Sequence, residues 1–179
     1  MDLKSIDNLK GENMDKQNYE NSIDYAIKSI KNNGAFLTSG NKNKANTMTI
    51  SWAGIGHLWK KDIFIIVISN IRYTKEFIDS ENTFTISIPN GENMKAELDF
   101  CGHNSGRNIN KEEAVNIKFL DSKMVDSPIV DGCNMYYECK VVFKQNMDVT
   151  KVDKDIIQNV EEAEHTMYFG EIVDSYCLK

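Results

Sequence analysis

The sequence is poor in the features that usually announce a function. It has no basic run and no Lys/Arg stripe: 21 basic side chains are scattered among 27 acidic ones, for a formal charge of −6. Nucleic acid is therefore not an expected partner, and the modest acidic excess serves solubility. The longest apolar run, Ile63 to Ile68, is far below the roughly 20 residues that a membrane-spanning helix needs. The N-terminal stretch MDLKSIDNLKGENMDK is polar and lacks the apolar core of a secretory signal, so a cytoplasmic location is expected. Catalytic fingerprints are missing as well. There is no Gly-x-Ser-x-Gly elbow, no Walker loop and no Gly-x-Gly-x-x-Gly turn, which argues against a P-loop enzyme or a Rossmann dehydrogenase. The four cysteines, Cys101, Cys133, Cys139 and Cys177, form no Cys-x-x-Cys pair. Cys101 and His103 alone make too few ligands for zinc, and no metal is expected. Cys133 and Cys139 fall on one face of an extended strand, too far apart to bridge, and are expected to pack in the core as thiols.

No internal repeat and no linker rich in Pro, Gly or Ser divides the chain. At 179 residues it suits one domain, over 17–179, preceded by a flexible arm over 1–16. Ile23, Ala26, Ile27 and Ile30 recur at helical spacing, and Asn32-Asn33-Gly34 closes that helix. The segments 35–39 and 44–52 read as a hairpin around GNKNKAN. DIFIIVIS at 62–69 is apolar on both faces and reads as a strand buried twice. A turn and short helix over 70–81, an alternating strand from Thr83, and a short helix over 92–100 follow. The longest alternation runs over 133–144, with Cys133, Met135, Tyr137, Cys139, Val141 and Phe143 on one face. A helix-compatible stretch at 153–164 precedes a final strand, HTMYFGEIVDSY. Many short strands with few helices predict a mainly β protein, a β-barrel with helical insertions.

Three stretches hold more polar and glycine residues than a fold requires. In KANTMTISW, Met48, Ile50 and Trp52 alternate with Thr47, Thr49 and Ser51. That hydroxyl face suits either a solvated edge strand or the wall of a site. In SNIRYT, Arg72 stands at the end of the buried strand, beside hydroxyls and a helix start. It suits a surface arginine near a cap, or a phosphate site built from a guanidinium fork and helix-start amides. In DFCGHNSGRNINKEE, Gly102 and Gly106 permit close approach and Ser105, Arg107 and Lys111 supply donors, as a ligand loop or as an ordinary polar one. His57 and His165 stand outside any motif.

Taken in order, NTMTISW, SNIRYT, CGHNSGRNINK, SPIVDGCNMYYECKVV and HTMYFGEIV resemble the flavin reductase family, with its FMN-binding split β-barrel, over residues 34 to 174. The pattern is closer to the flavin reductase and flavoredoxin branch than to the pyridoxamine-phosphate oxidases. The resemblance implies that Asn46, Thr47, Met48 and Thr49 contact the ring and ribityl chain of FMN, with Ser51 close by. It implies that Arg72, Tyr73 and Thr74 lie near the phosphate. Cys101, Gly102, Ser105, Gly106 and Arg107 match the loop closing over FMN, and Lys111 the lysine that follows it. It further implies an NAD(P)H-dependent oxidoreductase that passes hydride to FMN and electrons to free flavin or a protein acceptor. The alternatives are an FMN electron carrier and a flavin-free barrel. A homodimer is expected, with no essential side-chain acid or base; His165 is the one candidate for contact with the flavin or nicotinamide. Two departures are visible. LWKKD replaces the prolines common before the buried strand, and Glu112 replaces the phenylalanine common after the lysine.

Overall fold

The chain-end problem of the main sheet decides the architecture. In a computed structural model that describes residues 16–157 and 164–177, seven strands form one antiparallel sheet. They are β1 (Ala35–Asn41), β2 (Lys44–Ile50), β3 (Ala53–Leu58), β4 (Lys61–Ser69), β5 (Thr83–Ile88), β8 (Met135–Asn146) and β9 (His165–Tyr176). A two-stranded ribbon adds β6 (Phe119–Leu120) and β7 (Ile129–Val130). The order across the main sheet is β2-β1-β5-β8-β9-β4-β3, so β2 and β3 are its two edges. Yet only Ser51 and Trp52 connect them. Three Cα–Cα steps of about 3.8 Å reach at most about 11 Å, whereas a flat sheet would hold these edges about 29 Å apart, at about 4.8 Å per strand. The sheet must curl until its edges meet at Ser51–Trp52. The edges do not pair with each other, so the barrel is left split along one seam. The expected mainly β barrel with helical insertions, an FMN-binding split-barrel type of fold, is what the chain adopts.

The barrel interior is apolar: Leu37, Met48, Ile50, Phe64, Ile66, Ile68, Phe84, Ile86, Tyr137 and Cys139 form one buried cluster. The helix α1 (Lys16–Asn33) adds Tyr25, Ala26 and Ile30 to it. Ile27 is exposed, so the buried stripe of α1 is turned from the one the isoleucine spacing suggested, because Tyr25 takes a core position and bonds Pro89 O. Gly34, at φ +84°, ends the helix and sends the chain into β1. The expected arm at 1–16, apart from Lys16, lies outside the described residues, as does 158–163 of the expected helix-compatible stretch. Within that stretch α5 covers Lys154–Ile157.

A second buried cluster lies on the outer side of β1, β5 and β8. Residues 115–133 fold across it as a strap and bring Ile117, Ile129, Val130 and Cys133 against Phe36, Leu98, Cys101, Tyr136 and Tyr176. This layer changes the meaning of the polar alternations. The hydroxyls of β5 are not solvated: Thr85 Oγ1 donates to Pro128 O at 2.5 Å and Ser87 Oγ accepts from Val130 N at 3.0 Å. Cys133 precedes β8 and packs in this outer cluster, whereas Cys139 packs inside the barrel, so the two share no face. The long alternation is also broken by a register shift between Val141 and Phe143, which carries Phe143 outward, opposite Phe169. Among the described residues the helices include none long and apolar enough to cross a membrane.

The hairpin β3–β4 was not expected, because its turn is Trp59-Lys60, both with positive φ, where Asn-Gly is the usual signal. A tighter constraint lies in β9. A Cβ on Gly170 would stand 2.5 Å from Phe84 Cζ and 2.8 Å from Cys139 Cβ, inside the barrel. Gly170→Ala is expected to cost about 1–3 kcal/mol by overpacking, read as a lowered denaturation midpoint. An unchanged midpoint would show that Phe84 has room to move.

Candidate functional site

The site forms where β2, the end of β4 and the segment after α3 converge at the seam. After β4 the chain turns at Ser69–Arg72, with Arg72 N donating to Ser69 O, and enters α2 (Tyr73–Glu81). No side chain caps α2; Lys75 N turns back to Arg72 O, and the Tyr73 and Thr74 amides before it make a favourable end for an anion. Arg72 is half-buried, and the only hydrogen bond of its side chain among the described residues runs from Nη1 to Gly102 O, at 3.1 Å. No carboxylate lies in ion-pair range of it among the described residues. Arg107 is engaged differently. Its guanidinium pairs with Glu76, bonds Ile71 O at 3.0 Å and lies 5.0 Å over the Tyr73 ring. Arg72 is thus the guanidinium with capacity to spare.

The helix α3 (Lys95–His103) lies three residues further along the chain than the expected 92–100, so Cys101 and Gly102 belong to its last turn rather than to a loop. The Cys101 side chain belongs to the outer apolar cluster, and burial pushes its thiol up to about 11. It is no nucleophile near neutral pH. Lys111, at the start of α4 (Lys111–Ala114), is nearly fully buried. Its Nζ donates to Thr47 O at 2.7 Å and Cys101 O at 3.0 Å, with no carboxylate in range among the described residues. Burial lowers its pKa; Cys101 opposes that shift and the Arg72 charge adds to it. The ammonium stitches β2 to α3, and its positive charge is left without a counter-ion.

The hydroxyls of β2 are neither wet nor free. Thr47 Oγ1 accepts from Thr38 and donates to Leu37 O, and Thr49 Oγ1 donates to Leu98 O at 2.5 Å. Only Ser51 is exposed. As an edge strand, β2 instead offers alternate backbone groups that β1 does not pair. Asn46 Nδ2 donates to Thr74 Oγ1 at 2.7 Å, while a Cβ on Gly106 would fall 1.9 Å from Asn46 Oδ1. Gly106 is therefore needed for close approach to Asn46. At Gly102 a Cβ would meet Thr49 Cβ only at 3.5 Å, an ordinary contact.

Three adjoining clefts follow this framework. One of about 440 Å³ runs between Asn46, Tyr73, Arg107 and Lys111. A second of about 320 Å³ shares those walls and adds Met48, Arg72, Thr74, Cys101 and Ser105. A third of about 170 Å³ lies at the seam itself, between Met48–Trp52 and Val67–Ser69, with Arg72 and His165. Thr49 and Ser51 line this last one. The structure thus gathers the sequence-designated residues into one trough, with Gly102 contributing through its carbonyl to Arg72. Trp52 was missed as a site residue. The alternation makes it one more apolar strand position, but the strand ends at Ile50, and the Trp52 ring stacks on His165 at 5.1 Å. His57 lies apart, paired with Asp62 on the surface. Among the described residues no group of three His, Cys, Asp or Glu is placed to hold a metal ion.

Buried thiols give the molecule a pH signature. The Cys101 thiol is raised from 9.0 to about 11, and burial raises Cys133, Cys139 and Cys177 too. Above pH 9.0 the unfolded chain sheds thiol protons that the folded chain keeps, so stability falls as pH rises, and the Cys101 share is lost by about 11. Lys111 acts with the opposite sign, its lowered pKa making the folded chain release a proton first. One ammonium opposes four thiols, so the denaturation midpoint is expected to fall from about pH 8 to about pH 10. A midpoint that rises over this range would contradict the assignment.

A split antiparallel barrel with a cationic trough along its seam is the class that fold and site define. The chain matches the flavin reductase like domain family over residues 27–178, and it belongs to that family. Membership sets the coarse activity: flavin-related redox chemistry, as an oxidoreductase or an electron-transfer protein. An uncharacterized protein of Archaeoglobus fulgidus is 27% identical over 138 residues, 77% of this chain and 68% of that one. The flavoredoxin of Methanosarcina acetivorans superposes with a TM-score of 0.63 at 20% identity, covering 82% of this chain and 68% of its own. Nitrilotriacetate monooxygenase component B from Bacillus cereus gives 0.64 at 15% identity, covering 94% and 82%. These likenesses establish the fold.

Proposed function

We propose that the chain binds FMN along the trough and works as an NAD(P)H-dependent flavin reductase. One observation carries this reading: a guanidinium with one carbonyl partner, a buried ammonium without a counter-ion and an uncapped helix start face adjoining clefts. Such a set suits a phosphate dianion. Arg72 and the first amides of α2 would hold the phosphate, with Tyr73 and Thr74 beside it. The Asn46–Thr49 edge would hold the ribityl chain and ring through its backbone, with Ser51 at the seam. When bound, FMN supplies a ring that accepts a hydride equivalent and passes electrons on. The protein's share is to bind, orient and polarise, and on this reading the chemistry needs no essential side-chain acid or base.

A second reading, an FMN electron carrier, is favoured by one feature. Trp52 stacks on His165 beside the smallest cleft and narrows access for a nicotinamide. The structural neighbours include flavoredoxins as well as a monooxygenase component B. Anaerobic addition of NADH and then NADPH separates the two. Prompt bleaching of the flavin band near about 450 nm supports the reductase and names its donor. A band that persists supports the carrier. The electrons would pass to free flavin or to a protein acceptor.

A homodimer is part of the proposal. The outer face of β4 and β9 carries Val67 opposite Met167 and Ile65 opposite Phe169, all half-buried, and ends where the exposed Trp59 and Phe143 rings pack against Phe169. A second copy would cover this apolar sheet. Sedimentation at twice the chain mass is expected.

A further inference from the structure

The outer cleft, of about 440 Å³, is the largest of the three, and Arg72 lines the other two but not this one. A flavin whose phosphate rests on Arg72 therefore leaves it open. It adjoins the phosphate end of the trough, because Asn46, Tyr73 and Lys111 border both it and the larger Arg72 cleft. Its walls suit a flat, anionic guest. Tyr73 and Phe77 pack edge to face at 5.0 Å, and the half-buried Phe119 adds a third ring. Lys44, at the start of β2, holds Nζ 5.8 Å from the Tyr73 centroid and 5.7 Å from that of Phe77. It is exposed and has no ion pair among the described residues, whereas Arg107 is tied to Glu76. Lys44 thus brings an unpaired charge to the rim.

Glu112 sharpens the reading. It stands where the family pattern commonly has phenylalanine, and it is the one carboxylate on the cleft wall. Its Oε1 accepts from Phe119 N at 3.3 Å, and Oε2 has no partner among the described residues. Such an oxygen accepts from a hydroxyl and repels a phosphate. The Asn108 side-chain amide is also unengaged among the described residues, and it offers a donor beside an acceptor, the pattern that an adenine edge matches. Rings for a base, an ammonium for a phosphate and a carboxylate for a ribose hydroxyl converge on one moiety. We infer that the outer cleft is a subsite for an adenosine 5′-phosphate with a free 2′-hydroxyl, held by Lys44, Phe119 and Glu112. The inference rests on the flavin reading above for its two sources. One is the adenosine half of FAD, whose flavin would fill the inner clefts; the other is the adenosine half of NADH, which Glu112 would select over NADPH.

Calorimetric titrations test it. FMN is compared with FAD on the flavin-free protein, and NAD+ with NADP+ on the FMN-loaded protein. The unaltered protein is expected to favour FAD, NAD+ or both over its counterpart by about tenfold. Lys44→Gln and Phe119→Leu should each cut an FAD advantage to about threefold or less while leaving the Kd of FMN unchanged. Glu112→Gln, which keeps an acceptor for Phe119 N, should bring NADP+ within about threefold of NAD+. An FAD advantage that Lys44→Gln and Phe119→Leu remove assigns the cleft to the flavin's own adenosine. An NAD+ advantage that Glu112→Gln removes assigns it to the hydride donor. No advantage in either pair, or advantages that the substitutions leave unmoved, overturn the subsite while FMN binding stands. If neither flavin binds, the flavin reading falls, and AMP on the flavin-free protein decides the subsite alone. Saturable AMP binding that Lys44→Gln weakens then keeps it; no binding, or binding indifferent to Lys44→Gln, removes it.

Discussion

Arg72→Ala is expected to weaken FMN binding by about 2 kcal/mol, roughly thirtyfold in Kd, because it removes a charge-assisted contact to phosphate. The fold should hardly notice. Arg72 is half-buried, and the bond it loses is a single one to Gly102 O. Arg72→Lys keeps the charge without the planar fork and should fall between the two. Arg107→Ala makes a useful contrast, since Arg107 is already engaged by Glu76 and Ile71 O. Its effect on FMN should be smaller. A thirtyfold loss at Arg107 with none at Arg72 would exchange their roles, and an unchanged Kd at Arg72 would remove the phosphate from the start of α2.

Glu138→Ala is expected to be the most destabilising change outside the site. The carboxylate is fully buried and has no cation beside it among the described residues; it is held by hydrogen bonds alone. It accepts from Lys123 N at 2.7 Å, Met124 N at 2.6 Å, Val125 N at 3.2 Å and Tyr176 OH at 2.6 Å. Alanine leaves three amides and a phenol facing an empty pocket. An unsatisfied buried donor costs about 1–3 kcal/mol, so a loss of about 3 kcal/mol or more is expected even if water enters. Denaturant midpoints read this directly. Glu138→Gln should lose less, since one amide oxygen still accepts. Glu138 lines none of the three clefts, so folded Glu138→Ala protein should keep its FMN affinity. A loss below about 1 kcal/mol would mean that the strap is not anchored through this carboxylate.

Glu138 also shows where sequence reading stops. Alternation correctly placed Met135, Tyr137 and Cys139 inside the barrel, but it set Tyr136 and Glu138 on an outward polar face. A period-two pattern reports which face a residue takes, not whether a distant strap covers that face. The same holds for Thr85 and Ser87, whose hydroxyls bond the strap rather than water. Strands with strong alternation and helices with clear ends were legible: β4, β5, β9, α1 and α2 fall close to their expected places. The β3–β4 hairpin was not, because Trp59-Lys60 adopts positive φ without the residues that normally signal it. In the site, the segments that converge were legible. Their internal wiring was not: that Lys111 reaches two carbonyls and that Trp52 covers His165 are tertiary facts.

The central claim is a phosphate-anchored flavin at the barrel seam. The measurement that tests it most directly is a side-by-side titration of the flavin-free protein with FMN and with riboflavin, followed by flavin fluorescence. The account predicts saturable binding of FMN, at least about tenfold tighter than riboflavin, because only FMN presents a phosphate to Arg72 and α2. Equal affinity for the two would contradict the phosphate site, and no saturable binding of either would contradict the flavin.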